Sequence, residues 1–438
     1  MSLLDFHKIG KNQQPYDIID DKIAQYIMEN QCMMVISGKA YLYKDGVYRM
    51  DENGTILKYL VKSCIVQELI TYSRVERVCK LILSEHKLQV KPDEVNLYPD
   101  TWINFKNGML DIMTGELHGH EPKYRSVNQI PHDYVEHLNI EDSIFYRFIQ
   151  SRIPNKENQQ MLFEFMGYCL LNGIVFQKFL ILCGLGDSGK STIINFISRI
   201  IGEDNISALS LQELSSRFST AYLLHKQLNT CGDIPSSALK DTAVIKQLLG
   251  EDSVKAEIKG GAVFFFRNTA KFLFSCNELP LVLDEKSNGF YRRLLVINFE
   301  NAGTYIPNLK RLLSEEKEIQ IVISHIVGGA KNAIQRGRIF ESGASSGAVL
   351  QLQKDSDTVA AFLEDWTEPR PNHRIRRPDF YNYYEEFCRE ENRQPLGKTA
   401  FFRSLRVKGV KETKVQGIRY FCDLDISFKK TFITFNTI

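Results

Sequence analysis

Small residues and one lysine make up the stretch GLGDSGKS, which spans residues 184–191. Its spacing fits GxxxxGK[ST], a pattern in which glycines let successive backbone N–H groups point into one concavity. The lysine of this pattern reaches the β- and γ-phosphates of a nucleoside triphosphate, and the hydroxyl after it is a magnesium ligand. We therefore predict a polyphosphate site. The predicted nucleotide-binding residues are Gly184, Leu185, Gly186, Asp187, Ser188, Gly189, Lys190, Ser191 and Thr192.

The residues on either side of this loop predict a strand before it and a helix after it. Residues 179–183 are an apolar run, and residues 192–201 carry isoleucines at helical spacing before Gly202. A helix that begins at the loop adds the partial positive charge of its N-terminus, which favours phosphate. The alternative is a glycine-rich turn without a ligand, and the succession of strand, loop and helix argues against it.

Two polar residues end apolar stretches further along the chain. Asp233 is the last polar residue of QLNTCGDI, residues 227–234, where a carboxylate would lie beside magnesium as in a Walker B strand. Asn277 ends AKFLFSCN, where an amide would sense the γ-phosphate or orient the attacking water. The alternative for both is a plain turn residue, because Pro235 and Pro280 follow closely.

A pair of arginines, Arg292 and Arg293, precedes a further apolar strand in GFYRRLLVINF. An arginine supplied by a neighbouring subunit stabilises transition-state charge and is worth roughly 10³ to 10⁵ in rate. A surface role is the alternative for either residue. The loop, the carboxylate, the amide and the arginines fall within about 110 residues, and this succession favours one nucleotide-hydrolysing site.

The composition is that of a soluble globular protein. The chain has 438 residues, of which 43% are hydrophobic and 25% charged, so we expect two or three domains. A net charge of +2 requires any nucleic-acid surface to be a local patch. Nine cysteines without a CxxC pair indicate reduced thiols, and no leader or membrane span is evident. We expect a cytoplasmic protein without a membrane partner.

Three domains are predicted from the pattern of elements. A first region of mixed α and β character contains a hairpin signal at Asp45 and Gly46. Residues 341–348, ESGASSGA, are small and polar enough for a linker. The predicted domains are residues 1–140, 141–345 and 346–438.

The last region predicts a winged helix, since two helical stretches precede a strand pair in VKETKVQGIRYF. Between Leu396 and Arg419, seven basic residues stand against Glu412 alone, a local charge of +6. A basic helix and wing suit the major groove and the flanking phosphates of duplex DNA. A solvated basic face is the alternative. The predicted duplex-binding residues are Lys398, Arg403, Arg406 and Lys408.

Several stretches resemble the superfamily 3 helicases, specifically the phage, plasmid and poxvirus primase-helicase family. They are NGMLDIMTGEL, GYCLLNG, GLGDSGKST, IKQLLGEDSVKAEIK, FSCNELP and GFYRRLLVINF. The resemblance covers roughly residues 20–340. With the C-terminal pattern it implies an α/β fold: an AAA+ P-loop ATPase core, an α+β N-terminal domain and a C-terminal winged helix.

The resemblance also implies roles for single residues, with ATP and Mg²⁺ as ligands. The implied catalytic residues are Lys190, Asp233, Asn277 and one of Arg292 and Arg293, and the implied magnesium ligands are Ser191 and Asp233. The chain departs from the family beside Asp233, where Gly232 stands and paired acidic residues are common. No paired-aspartate metal site is evident in the N-terminal region, so we expect no primer synthesis.

In the family, residues 250–261, GEDSVKAEIKGG, would form a hairpin that lines the pore of a ring. Lys255 and Lys259 would then track the phosphates of single-stranded DNA. The alternative is a solvated hairpin in which both lysines offset nearby acidic residues. The run Phe264 to Phe266 could stack on bases, but a strand core is the expected role.

These observations predict an ATP-dependent DNA helicase, a hexameric ring that moves 3′ to 5′ on single-stranded DNA while a phage, plasmid or genomic island replicates. Expected partners are single-stranded DNA in the pore, duplex or origin DNA at the winged helix, further copies of the chain and host replication proteins. One alternative is a DNA-binding initiator whose ATP site controls assembly. The other is an AAA+ ATPase that remodels proteins.

Overall fold

The computed structural model describes residues 2–239, 241–250, 252–260, 263–283, 288–299, 306–391 and 393–427. These residues form a mixed α/β fold around a five-stranded parallel sheet. The expected α/β class with a parallel sheet is therefore confirmed. Within the described ranges, no helix is long and apolar enough to cross a membrane.

An N-terminal region of helices and antiparallel hairpins comes first. Its elements are β1 (His7–Ile9), β2 (Pro15–Ile18), α1 (Asp20–Asn30), β3 (Met33–Ile36), β4 (Lys39–Lys44), β5 (Val47–Met50), α2 (Thr55–Ser63), α3 (Tyr72–Ser84), β6 (Trp102–Phe105), β7 (Gly108–Asp111) and β8 (Leu117–His118). Asp45 and Gly46 join β4 to β5 with φ of 49° and 89°, which a tight hairpin turn requires. The predicted hairpin is confirmed.

The central part of the chain builds the parallel sheet and its helices. Its elements are α4 (Ile144–Arg152), α5 (Lys156–Leu170), β9 (Phe179–Gly184), α6 (Lys190–Ile201), β10 (Ile206–Ser207), β11 (Leu228–Cys231), α7 (Ala243–Leu248), β12 (Ser253–Glu257), β13 (Val263–Arg267), β14 (Lys271–Cys276), β15 (Leu294–Phe299), α8 (Leu309–Leu312), α9 (Glu316–Arg336) and α10 (Gly343–Ser356). The strand and helix predicted around the glycine-rich loop are confirmed.

The sheet has the strand order β10-β11-β14-β9-β15, with all neighbours parallel. Its strands are apolar on both faces because helices or loops cover both. Leu180 and Leu182 pack into one core with α5, α6 and α9, whereas Phe179 and Ile181 pack into the opposite core with α7. The period-2 alternation of β9 thus divides the domain into two layers.

Helices α5 and α9 cross closely on one face of the sheet. A Cβ on Gly167 would lie 2.1 Å from the carbonyl oxygen of Ile326, so only glycine permits this approach. Glu164 is buried beside the crossing, where it pairs with Arg336 at 2.7 Å and accepts a hydrogen bond from the Phe340 N–H. Close packing at Gly167 and the ion pair of the buried Glu164 therefore both stabilise the contact between α5 and α9.

The C-terminal region forms a separate hydrophobic core around Phe362, Phe380 and Phe401. Its elements are α11 (Thr358–Trp366), β16 (Thr367–Arg376), α12 (Arg377–Glu390), α13 (Lys398–Val407), β17 (Glu412–Val415) and β18 (Ile418–Ile426). The sheet order is β16-β18-β17. The predicted succession of helix, helix and hairpin is present, with α11 and β16 ahead of it.

The prediction of a linker at residues 341–348 is wrong in its local structure, because α10 begins at Gly343. Ser342 caps this helix by accepting a hydrogen bond from the Ser345 N–H at 3.0 Å. The hydroxyl of Ser345 is buried and accepts a hydrogen bond from the Val296 N–H in the central sheet. Small polar residues serve close packing here rather than chain mobility. The predicted domain limits stay a prediction.

Candidate functional site

The strand order brings three loop regions to one edge of the central sheet. β14 lies between β9 and β11, and all three strands run in the same direction. Their carboxyl ends are followed by the glycine-rich loop, by Asp233 and by Asn277. These polar residues, far apart in sequence, consequently line one cleft of about 490 Å³ together with Lys190 and Ser191. Ligands of open α/β sheets bind at this edge.

Lys190 is the first residue of α6 and is almost fully buried. Its ammonium donates hydrogen bonds to the carbonyl oxygens of Gly184 at 2.6 Å and Leu185 at 2.9 Å, and to the hydroxyl of Ser188 at 3.2 Å. The charge is therefore held at the start of the helix, where N–H groups also face the cleft. This arrangement suits a polyphosphate.

Asp233 and Asn277 face the loop from the neighbouring strands. Asp233 has φ of +50° and its N–H donates to the hydroxyl of Ser275 on β14. A left-handed backbone at a non-glycine residue is strained, although aspartate tolerates it, and such strain is concentrated at functional sites. Both side chains are exposed to the cleft that Ser191 lines. A carboxylate and a hydroxyl are the oxygen ligands that magnesium prefers.

Helix α4 supplies two cleft residues that the sequence analysis did not assign to the site. Phe148 lies directly beneath Gly189, since a Cβ on Gly189 would be 2.7 Å from the phenyl ring. The guanidinium carbon of Arg152 lies 5.5 Å from the centre of that ring. Phe148 and Arg152 are four residues apart and so share one helix face. That spacing, at the end of the helical stretch that precedes α5, was the available signal.

A second cavity of about 650 Å³ adjoins the cleft and shares Thr192 and Leu309 with it. It follows one face of α6, with apolar contributions from Pro131, Phe196 and Leu313. Asp233 and Asn277 line the first of these two cavities and not the second. The combined space thus has a charged end and a more apolar end, as a nucleotide site needs.

Two thiols lie beneath the loop on adjacent strands, where Cys183 and Cys276 are paired in register. The hydrogen bond from Cys276 lowers the pKa of Cys183, and the ammonium of Lys190 acts in the same direction against the effect of burial. The same hydrogen bond raises the pKa of Cys276. All nine cysteines are free, as predicted, but Cys32 is exposed rather than a core residue.

Arg292 and Arg293 lie at the opposite edge of the sheet from the loop. In the register of β15 with β9, Leu294 faces Phe179 and Phe299 faces Gly184. Five residues of strand separate these ends by about 16 Å. Neither arginine lines the cleft among the described residues. Contact with the loop of the same chain is therefore excluded in this conformation.

The two arginines differ in their surroundings. The guanidinium of Arg293 donates hydrogen bonds to the carbonyl oxygen of Gly289 at 2.7 Å and to the side chain of Gln177 at 3.1 Å. The side chain of Arg292 is exposed, while its backbone N–H donates a hydrogen bond to the carbonyl oxygen of Asn288 and its backbone oxygen accepts one from the ammonium of Lys178. Arg292 is thus the more accessible of the pair.

The hairpin β12–β13 carries Lys255, and Lys259 follows the end of β12. Both lysines are exposed. Their nearest acidic strand residue, Glu257, is held by Arg217 through two hydrogen bonds of 2.8 and 2.9 Å. Within the part of the chain that the structure describes, neither lysine has an ion pair; Glu251 lies outside it. The hydrogen bond from Arg217 lowers the pKa of the Glu257 carboxyl and the charge of Lys255 acts in the same direction, so the alternative in which Lys255 offsets Glu257 stands beside the pore role.

The predicted duplex-binding residues have different environments. Arg403 and Lys408 line a cavity of about 300 Å³ between α13 and the central domain, and Lys408 is paired with Asp357. Lys398 lies over the ring of Tyr381. Arg406 is exposed on α13. Arg403 and Arg406, three residues apart on α13, thus share one helix face, whereas Lys408 follows the end of the helix.

Three stretches of the chain match known protein families. Residues 21–180 match the family described as D5 N terminal like, and residues 354–421 match the family described as poxvirus D5 protein-like. Two regions of the chain thus match models of D5-type domains, as in primase-helicases of the phage and poxvirus type. The family resemblance predicted from the sequence is confirmed. Residues 182–293, which contain the loop, Asp233 and Asn277, match a family of unknown function, DUF5906.

One curated relative is the L207/L206 protein of Acanthamoeba polyphaga mimivirus, which is named as a helicase. The two are 25% identical over 207 residues, or 45% of this chain, and the match spans only 21% of the relative's length. Among solved structures, an apo form of the NrS-1 C-terminal region covers 92% of this chain and 98% of its own, at 10% identity and a TM-score of 0.48. A second NrS-1 structure, of residues 305–718, is 11% identical to this chain and has a TM-score of 0.48.

Proposed function

We propose that this chain is an ATP-driven superfamily 3 DNA helicase with an AAA+ core, which assembles as a hexameric ring and moves 3′ to 5′ on single-stranded DNA during replication. The observation that carries the proposal is the convergence of Lys190, Ser191, Asp233 and Asn277 on one cleft. A cation, a hydroxyl, a carboxylate and an amide are the groups that phosphoryl transfer to water requires.

The roles follow from the two ends of the cleft. Lys190 and the loop N–H groups would hold the phosphates, and Ser191 and Asp233 would ligate Mg²⁺, which neutralises the developing charge. Asn277 would contact the γ-phosphate or orient the attacking water. The nucleoside would extend past Thr192 and Leu309 into the adjoining cavity, since Asp233 and Asn277 occupy the other end.

In a ring, the arginines that lie far from the nucleotide loop of their own chain would act at the loop of the next subunit. An exposed arginine about 16 Å along the sheet from its own loop is of use to hydrolysis only at the loop of a neighbouring subunit. We assign this role to Arg292, because Arg293 is engaged with Gly289 and Gln177. The closed ring of identical interfaces then couples each hydrolysis event to a subunit contact.

The hairpin lysines are assigned to translocation along DNA. Lys255→Ala and Lys259→Ala are each expected to abolish strand displacement on a forked duplex, because six copies of each lysine would contact the phosphates. ATP affinity is expected to stay near that of the wild type, since neither residue lines the cleft. Lys317→Ala, at an exposed lysine of α9, is the matched control. Normal unwinding by both hairpin variants would rule out this assignment.

The C-terminal region is proposed as a winged helix that recruits the ring to origin or other duplex DNA. Its order of α11, β16, α12, α13, β17 and β18 supports this class, and the exposed Arg406 and Lys414 are the cations best placed to contact phosphates. The double variant Arg406→Ala, Lys414→Ala is expected to weaken duplex binding severalfold and to reduce the slope of log affinity against log salt by roughly two. Arg389→Ala on α12 is the control. An unchanged salt slope would contradict the proposal.

The two alternative functions make different predictions for the same assays. An initiator whose ATP site controls assembly would bind DNA and hydrolyse ATP slowly without displacing a strand. A protein-remodelling ATPase would respond to a polypeptide rather than to DNA. The exposed lysines of the hairpin favour nucleic acid as the substrate over polypeptide.

A further inference from the structure

The hairpin β12–β13 has one buried and one exposed face. Val254, Ala256 and Phe266 point into the core beside α7, and Phe264 lies 6.0 Å from Phe266, ring centre to ring centre. Strand alternation therefore places Phe265 on the opposite face, where 59% of its surface is exposed. The expectation of a strand core is correct for Phe266 and wrong for Phe265.

Two cations surround Phe265 on the exposed face. Lys255 is its direct cross-strand partner, and Arg267 lies two residues along the same strand. Directly opposed side chains in an antiparallel pair have Cβ atoms about 4.5–5.5 Å apart. Both cations are exposed. The acidic residue of this face, Glu257, is tied to Arg217, so its charge is offset from the side. The described part of the face is therefore a phenyl ring between two positive charges.

We propose that Phe265 stacks on a base of single-stranded nucleic acid while Lys255 and Arg267 contact the adjoining phosphates. This inference rests on the proposed function of the hairpin and extends it to a further residue and a second kind of contact. An exposed aromatic ring flanked by cations complements a strand whose bases are unstacked, because every base has an apolar face next to an anionic backbone. A duplex offers phosphates but keeps its bases stacked within the helix, so a single strand is the occupant that the ring selects.

The anchoring of the hairpin makes the ring an ordered contact. Thr220 donates a hydrogen bond at 3.0 Å to the backbone oxygen of Lys255, and the guanidinium of Arg217 donates one to the carboxylate of Glu257 on the same strand. The buried face is fixed in the core. Stacking on a pre-positioned ring costs less conformational entropy than stacking on a mobile loop.

The test compares a base-containing oligonucleotide with an abasic oligonucleotide of the same length and charge, by fluorescence anisotropy on the full chain with ATP analogue and Mg²⁺. The wild type is expected to bind the base-containing strand at least about fivefold more tightly. Phe265→Ala is expected to remove this preference and Phe265→Trp to retain it, whereas Val263→Ala, at an exposed apolar residue of the same face, retains it too.

Different failures have different meanings. If the wild type shows no preference, or if Phe265→Ala keeps it, the stacking role is wrong. If the stacking role fails but Lys255→Ala weakens binding to both oligonucleotides, the proposed DNA-binding function of the hairpin is retained. If Lys255→Ala binds both oligonucleotides as tightly as the wild type, the assignment of the hairpin to DNA is wrong. A change in sedimentation of Phe265→Ala, with the base preference intact, would identify the face as a contact between subunits and overturn the proposal.

Discussion

Replacement of Lys190 by alanine is expected to abolish ATP hydrolysis and strand displacement together. Lys190 is the buried cation that the loop carbonyls hold at the start of α6. Its loss removes a fixed charge from the position of the transferring phosphate, and loss of a single such group costs about 10² to 10³ in rate. Steady-state release of phosphate and unwinding of a forked duplex, measured on the same preparation, check this result.

The control for this variant is Lys331, a half-buried lysine elsewhere in the same domain. Lys331 on α9 donates a hydrogen bond to the carbonyl oxygen of Met113 and does not line the cleft. Lys331→Ala should leave hydrolysis near that of the wild type. Hydrolysis that persists in Lys190→Ala, with Mg²⁺ present, would show that the loop is not the catalytic nucleotide site.

Replacement of Arg292 by alanine is expected to lower hydrolysis by about 10³- to 10⁵-fold while ATP binding is retained. The reason is geometric, since Arg292 lies at the sheet edge opposite its own loop and would complete the site of a neighbour. Arg293→Ala is the informative comparison. Its guanidinium donates hydrogen bonds to Gly289 and Gln177, so its loss should reduce thermal stability, while hydrolysis by the folded variant stays near that of the wild type.

Mixing of inactive variants tests whether the arginine acts between subunits. Lys190→Ala subunits retain Arg292, and Arg292→Ala subunits retain an intact loop. Where the two are neighbours in the right order, one complete site is formed, so a mixture should recover part of the hydrolysis that neither variant shows alone. A mixture as inactive as its components would contradict a finger supplied in trans.

The nucleotide site could be predicted from the sequence because its signals are local. The glycines, Lys190 and Ser191 lie within eight residues, Asp233 lies two residues after β11, and Asn277 directly follows β14. The parallel sheet alone is needed to bring their ends to one edge. Phe148 and Arg152 could not be assigned in the same way, because their contact with the loop depends on how α4 packs beneath Gly189.

The charge of the C-terminal region illustrates a different limit. The sequence has seven cations and one acid between Leu396 and Arg419. In the structure, however, Lys408 forms an ion pair with Asp357 and Lys411 forms one with Asp423. Both partners lie outside the counted stretch. A window of sequence therefore overstates the free charge of a folded surface. The linker predicted at residues 341–348 failed for a related reason, since burial of Ser345 is a tertiary property.

The most direct test of the central claim is the rate of ATP hydrolysis with and without single-stranded DNA. The proposed helicase places the lysines of the hairpin β12–β13 on DNA, so added single strands are expected to stimulate hydrolysis by the wild type. The same addition should have no effect on Lys255→Ala. Hydrolysis that is indifferent to single-stranded DNA in the wild type, together with no displacement of a forked strand, would contradict the account.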